Sequence, residues 1–179
     1  MDPLAVVDGL DLAVRAVDAA RRLRDERPRQ TLHPLPLTSE VRYERFVAFR
    51  QAVVRTVSAA DVLTSQPHAF VGALWSLPTL LRAVRDIQQY TQNALAEFAE
   101  VIAIGSPETV EAASLAFDHL GDLLSAIDTR GNHPLHLGPA RKTQYADRRI
   151  AVMDAVRLFT EANRRELAPA PPRTSRRSS

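Results

Sequence analysis

Apolar residues recur along the chain at intervals of three and four in five segments. That spacing marks helices that bury one face. In segment 3–26 the recurring positions are Val6, Leu10, Ala13, Val17 and Ala20. Asp8, Asp11, Arg15, Asp18, Arg22 and Asp25 form the opposite stripe, which reads as a solvated face. Asp2 stands at the cap position and Pro3 in the first turn, and Asp11–Arg15 and Asp18–Arg22 are acid-before-base pairs at i,i+4. Segment 40–65, with Thr38 or Ser39 as its cap, has Tyr43, Phe46, Phe49, Val53, Val57 and Ala60 on its apolar side, and Pro67 ends it.

Segment 78–104 is expected to open at Ser76 and Pro78. It turns Leu80, Val84, Ile87, Thr91, Leu95, Phe98 and Ile102 inward, and Arg82, Asp86, Gln89, Asn93, Glu97 and Glu100 outward. Segment 107–128 has the inner stripe Val110, Ala113, Phe117, Leu120, Leu124 and Ile127. Segment 140–167 has Tyr145, Ile150, Val152, Val156 and Phe159 on its apolar side. Between two of these helices lies Gly105-Ser106-Pro107-Glu108. The glycine is expected to end one helix in the left-handed region. Serine then caps the next, proline takes its first position, and glutamate faces the positive end of its dipole. A junction that tight favours antiparallel neighbours.

No alternating strand pattern and no fixed-period repeat is present in the sequence. The expected fold is all-α: an antiparallel helical bundle of four to five long helices. One domain is expected over 1–167, with a proline-rich linker, 27–39, inside it. Residues 68–77 read as a short helix or an apolar connector, and residues 129–139 as a loop. Residues 168–179 form a disordered Arg/Pro/Ser tail that is too polar to order itself.

Composition narrows the function classes. Cysteine is absent, which excludes a disulfide framework, a thiolate metal site and a thiol nucleophile. The longest apolar stretch, 69–81, falls short of the ~18–20 residues of a membrane span and is interrupted by Gly72, Ser76 and Pro78. With no basic leader after Met1, the expectation is a cytoplasmic protein. Of the 23 basic residues only Lys142 is lysine, and the net charge is +2. Arginine does not deprotonate, so a small arginine excess holds the pI near 9.5 without implying a nucleic-acid partner. The arginine bias reads as genome composition.

The charge layout is uneven. Segment 106–128 carries Glu108, Glu111, Asp118, Asp122 and Asp128 and no Lys or Arg. The doublets Arg141-Lys142, Arg148-Arg149 and Arg164-Arg165 follow, and the tail adds Arg173, Arg176 and Arg177. A charge match between the fourth and fifth helices is the ordinary reading. The functional alternatives are a partner for the acidic face and nucleic-acid or anionic-surface binding by the basic part. Only Tyr145 and Phe159 are near to stack on bases, and both fit the apolar face. Trp75 is either a core wedge or part of a docking patch.

Catalytic patterns are sparse. The glycines never form GxG, and GxSxG, HExxH and Glu-x-x-His are missing, so no cofactor and no metal are expected. His133 and His136 are near ligand spacing, but Pro134 lies between them without a carboxylate beside them. Arg130 and His136 resemble the Arg–His spacing of HEPN-type RNases, which are helical bundles too. Gly131 and Pro134 depart from that pattern.

Val101-Ile-Ala-Ile-Gly-Ser-Pro-Glu-Thr-Val-Glu-Ala-Ala113, together with Phe159-Thr-Glu-Ala-Asn-Arg-Arg-Glu-Leu167, resembles a loose group of uncharacterised actinobacterial helical-bundle proteins. They share a G-S-P-E helix junction and a C-terminal F-x-x-A-x-R-x-E-L helix. The resemblance covers roughly 78–167, implies a bundle and carries over no catalytic residue. The expected function is therefore non-enzymatic, through a protein partner or self-association.

Overall fold

The computed structural model describes residues 38–65, 73–127 and 139–168, together with Arg15, Ala16, Asp18, Ala19, Arg21, Arg22 and Asp25. The side chains of 73–77, 80 and 139–141 lie outside that description. All the regular structure among the described residues is helical. We label the long helices α1 (Ser39–Ser65), α2 (Ala73–Ile104), α3 (Pro107–Ile127) and α4 (Pro139–Leu167).

Direction follows from which residues meet. Phe49, early in α1, faces Phe98, late in α2. Phe98 in turn stacks on Phe117 of α3. Glu108, at the start of α3, pairs with Arg165, near the end of α4. Arg42 of α1 pairs with Glu166 of α4, and Asp61 of α1 with Arg149. The bundle therefore runs up, down, up, down, as expected. α1 lies along α2 and α3 along α4 over most of their lengths, while contact between the two pairs is sparser. Buried alanines bring the axes close: Ala52, Ala59 and Ala60 in α1, Ala83 and Ala94 in α2, Ala113 and Ala116 in α3.

An aromatic cluster fills the space between the two pairs. The Phe49 ring lies 5.9 Å from Phe98, 6.4 Å from Phe117 and 5.0 Å from Phe159, centroid to centroid. The edge-to-face and stacked geometries suit the ring quadrupole. All six inner residues expected of α3 are buried: Val110, Ala113, Phe117, Leu120, Leu124 and Ile127. Buried hydroxyls in the core bond back to their own helices: Thr56 donates to the Ala52 carbonyl, Thr91 to Ile87 and Ser114 to Val110.

Several expectations change. Gly105 is not left-handed, because no described residue has a positive φ. Its missing side chain matters instead, since a Cβ there would lie 2.8 Å from the Val101 carbonyl oxygen and 3.3 Å from the Thr109 and Val110 side chains. α2 begins at Ala73, so Pro78 is inside the helix rather than at its start, and Ser76 does not cap it. Proline there costs one i→i−4 bond, not the helix. Thr38, not Ser39, caps α1: its hydroxyl accepts the Val41 N–H at 3.3 Å. Tyr43 and Ile150, expected on core faces, are 59% and 58% exposed. Asp18 pairs with Arg21.

Phe49 touches rings from all three other helices, so truncation leaves a cavity at the bundle centre. Phe49→Ala is expected to lower unfolding free energy by about 3–5 kcal/mol, read as a reduced urea midpoint.

Candidate functional site

The sequence-predicted residues fall into three groups. Arg130, His136, Arg173, Arg176 and Arg177 lie outside the described residues, as does the Trp75 side chain. Those positions carry the RNase-like spacing, the basic tail and the apolar patch. Glu108, Glu111, Asp118 and Asp122 do share α3, and none is buried. Two of them are engaged: Glu108 pairs with Arg165, and Asp118 accepts Arg21 Nε at 2.9 Å. Arg148 and Arg149 are split between neighbours. Arg148 donates to the Asp122 carbonyl of α3, and Arg149 Nε to Asp61 of α1 at 2.9 Å. The expected charge match between α3 and α4 is thus present at the Glu108–Arg165 end of that seam, while at the other end Arg148 reaches a main-chain carbonyl and not a carboxylate.

One end of the bundle is organised by Glu166, whose side chain is 8% exposed. Ser106 caps α3 by accepting the Thr109 N–H at 3.2 Å. In a capping box the residue at Thr109 would be an acid reaching back to the cap N–H. Here the acid comes from another helix. Glu166 Oε2 accepts the Ser106 N–H at 3.0 Å and the Thr109 hydroxyl at 2.6 Å. Its Oε1 accepts Arg42 Nη1 at 3.2 Å. The carboxylate also sits on the positive end of the α3 dipole. The G-S-P-E junction and the E-L ending, which carry the sequence resemblance, meet at this atom pair. This cluster is structural: both carboxylate oxygens of Glu166 are taken by donors of α1 and α3, though Arg42 Nε is buried without a hydrogen-bond partner.

Near the other end, Asp61 accepts the Tyr145 hydroxyl at 2.8 Å and also binds Arg149. Burial, and next the hydrogen bond to Asp61, push the Tyr145 phenol well above the ordinary tyrosine range.

The open feature is the seam between α1 and α4. Two adjoining cavities of about 320 and 500 Å³ lie there, sharing Arg50 and Thr160. Phe46, Val47 and Val54 from α1 and Met153, Val156 and Leu167 from α4 give them an apolar floor. Tyr43 stands exposed at one end and Met153, 38% exposed, toward the other. Arg50 and Arg55 rise on the α1 wall, Arg157 and Arg164 on the α4 wall. Sequence reading missed this groove. The pattern places Tyr43 on the core face of its helix, and only the packed structure shows Tyr43 and Met153 exposed beside the groove.

Among the described residues no cluster of three or more His, Asp or Glu has metal-holding geometry. Comparison of the chain with protein-family models, with curated proteins and with solved structures finds no match.

Two outcomes follow from this geometry. Glu166→Ala is expected to cost about 3 kcal/mol, because it strands Arg42 and two donors of α3. Adding Arg42→Met is expected to recover part of that loss, which a double-mutant cycle in urea measures. For Tyr145, the raised folded-state value means the folded chain holds the proton more tightly than the unfolded one. The resulting stability is complete below about pH 10, the unfolded tyrosine value, and is lost as pH rises beyond it. Tyr145→Phe should flatten the alkaline fall in melting temperature and remove the last-titrating phenolate from the absorbance at 295 nm.

Proposed function

We propose that this chain is a non-enzymatic helical bundle that acts through protein–protein contact, with the α1–α4 groove as the contact surface. The observation that supports this is the contrast between seams. α1 against α2, and α3 against α4, are closely packed. The α1–α4 seam keeps an apolar floor open beside exposed Tyr43 and Met153. Open apolar surface set among charged residues is the usual mark of a protein contact.

The nucleic-acid reading of the C-terminal arginines has less behind it. Arg148, Arg149 and Arg165 each bind a group on another helix of the bundle, so they are not a free stripe for phosphates. No helix among the described residues is long and apolar enough to cross a membrane. A cytoplasmic site of action and an actinobacterial kinship belong to the same proposal.

The test is a contact measurement on a surface variant. Light scattering reads self-association, and crosslinking mass spectrometry on affinity-captured complexes reads a partner. In Tyr43→Ser/Met153→Gln the contact is expected to weaken at least tenfold while the helical circular dichroism is unchanged. A strict monomer whose crosslinks never involve residues 43–55 or 150–167 refutes the reading.

A further inference from the structure

Resting on the groove reading above, we infer that the occupant of the α1–α4 groove is an acidic amphipathic helix of a partner protein. The argument starts from shape. The groove runs from Tyr43 to Arg55 along α1, a rise of ~18 Å at 1.5 Å per residue. That length holds about three turns of a docked helix. A floor of Phe46, Val47, Val54, Met153 and Val156 receives side chains at i, i+3, i+4 and i+7 from such a helix.

Charge then selects the partner. No carboxylate lines either cavity. Arg50, Arg55 and Arg164 make no ion pair among the described residues, and Arg157 meets only Glu161 of its own helix, at 3.9 Å. Arginines outside the two cavities are matched: Arg42 by Glu166 and Arg149 by Asp61 toward the two ends of this same seam, Arg45 by Glu97 between α1 and α2, and Arg165 by Glu108 between α3 and α4. Between its two ion-paired ends the α1–α4 seam therefore presents arginines with the acidic half missing. An incoming helix that carries carboxylates on both flanks of its apolar stripe supplies it.

Spacing sharpens the match. Arg157 and Arg164 are seven residues apart on one face of α4, about 10.5 Å along the axis. Two acids seven residues apart on the partner meet both. Arginine suits this use, because its fork binds a carboxylate through two parallel bonds while its stem lies on apolar surface. A nucleic-acid strand would use the cations and leave the apolar floor unfilled.

A displayed library of 16-residue helices tests this on the full chain. The library fixes a Leu/Ile/Phe stripe and randomises the flanks between Glu and Lys. Selected sequences are expected to be acidic, with Glu at positions seven apart. Their affinity, read by fluorescence anisotropy, should fall at least tenfold on Arg50→Glu/Arg164→Glu. Lys-for-Glu mirror peptides should bind that variant better than the wild type. Enrichment of neutral or basic sequences, or affinity indifferent to the arginine reversal, overturns the acidic partner. If such binding is still lost in Tyr43→Ser/Met153→Gln, the groove remains a contact surface and only its charge preference is wrong. Binding that responds to neither variant, or no enrichment at all, removes both readings. A single-stranded RNA that binds with the same arginine dependence, and displaces the peptides, reassigns the groove to nucleic acid. Circular dichroism confirms that each variant is folded.

Discussion

Contact of the Phe49 ring with Phe98, Phe117 and Phe159 is what makes one bundle out of two helix pairs. Close alanine-lined packing explains α1 with α2 and α3 with α4, since each is a local pairing of neighbours in sequence. Nothing in that packing requires the pairs to join. The aromatic cluster does, because its rings come from all four helices and are nearly fully buried. Large rings also hold the two pairs apart. Contacts between pairs are sparser as a result, and the α1–α4 seam opens where Tyr43 and Met153 lie beyond the cluster's reach.

Electrostatics follows the same division. Most of the ion pairs that join helices are half exposed, like Arg149 with Asp61, and pairs of that kind contribute about 0–1 kcal/mol each. They set register more than stability. Arg42–Glu166 is different, because it is largely buried and coupled to two donors of α3. It fixes how the end of α4 meets the α2–α3 junction.

Much of the fold is legible in the sequence, for a physical reason that also marks the failures. α3 carries an unbroken apolar stripe at helical spacing, so the inner side chains expected from the pattern are those the core buries. Ile150 fails the same geometry: it lies about 160° around the helix from Val152, and it is exposed. Being apolar is not enough; angle decides. Gly105 was legible as a junction residue but not in its role. Its need for space comes from Val101, Thr109 and Val110, which only the packed junction brings together. Glu166 looks like a terminal surface acid in sequence, and its partners are about 60 and 120 residues away. The groove was hidden for the same reason: Arg50 and Arg164 become neighbours only when α1 and α4 are laid antiparallel.

The placement of Glu166 bears on how the chain folds as it is made. Synthesis proceeds from the N-terminus, so α1 and α2 can pair while the rest is still unmade. α3 is complete long before its first turn receives the acid that caps it from Glu166. Until the last turn of α4 has emerged, the Ser106 N–H must rely on water, and Arg42 has no counter-charge. Closure of the bundle is thus tied to the arrival of the last turn of α4, whose one carboxylate both completes the cap of α3 and neutralises Arg42.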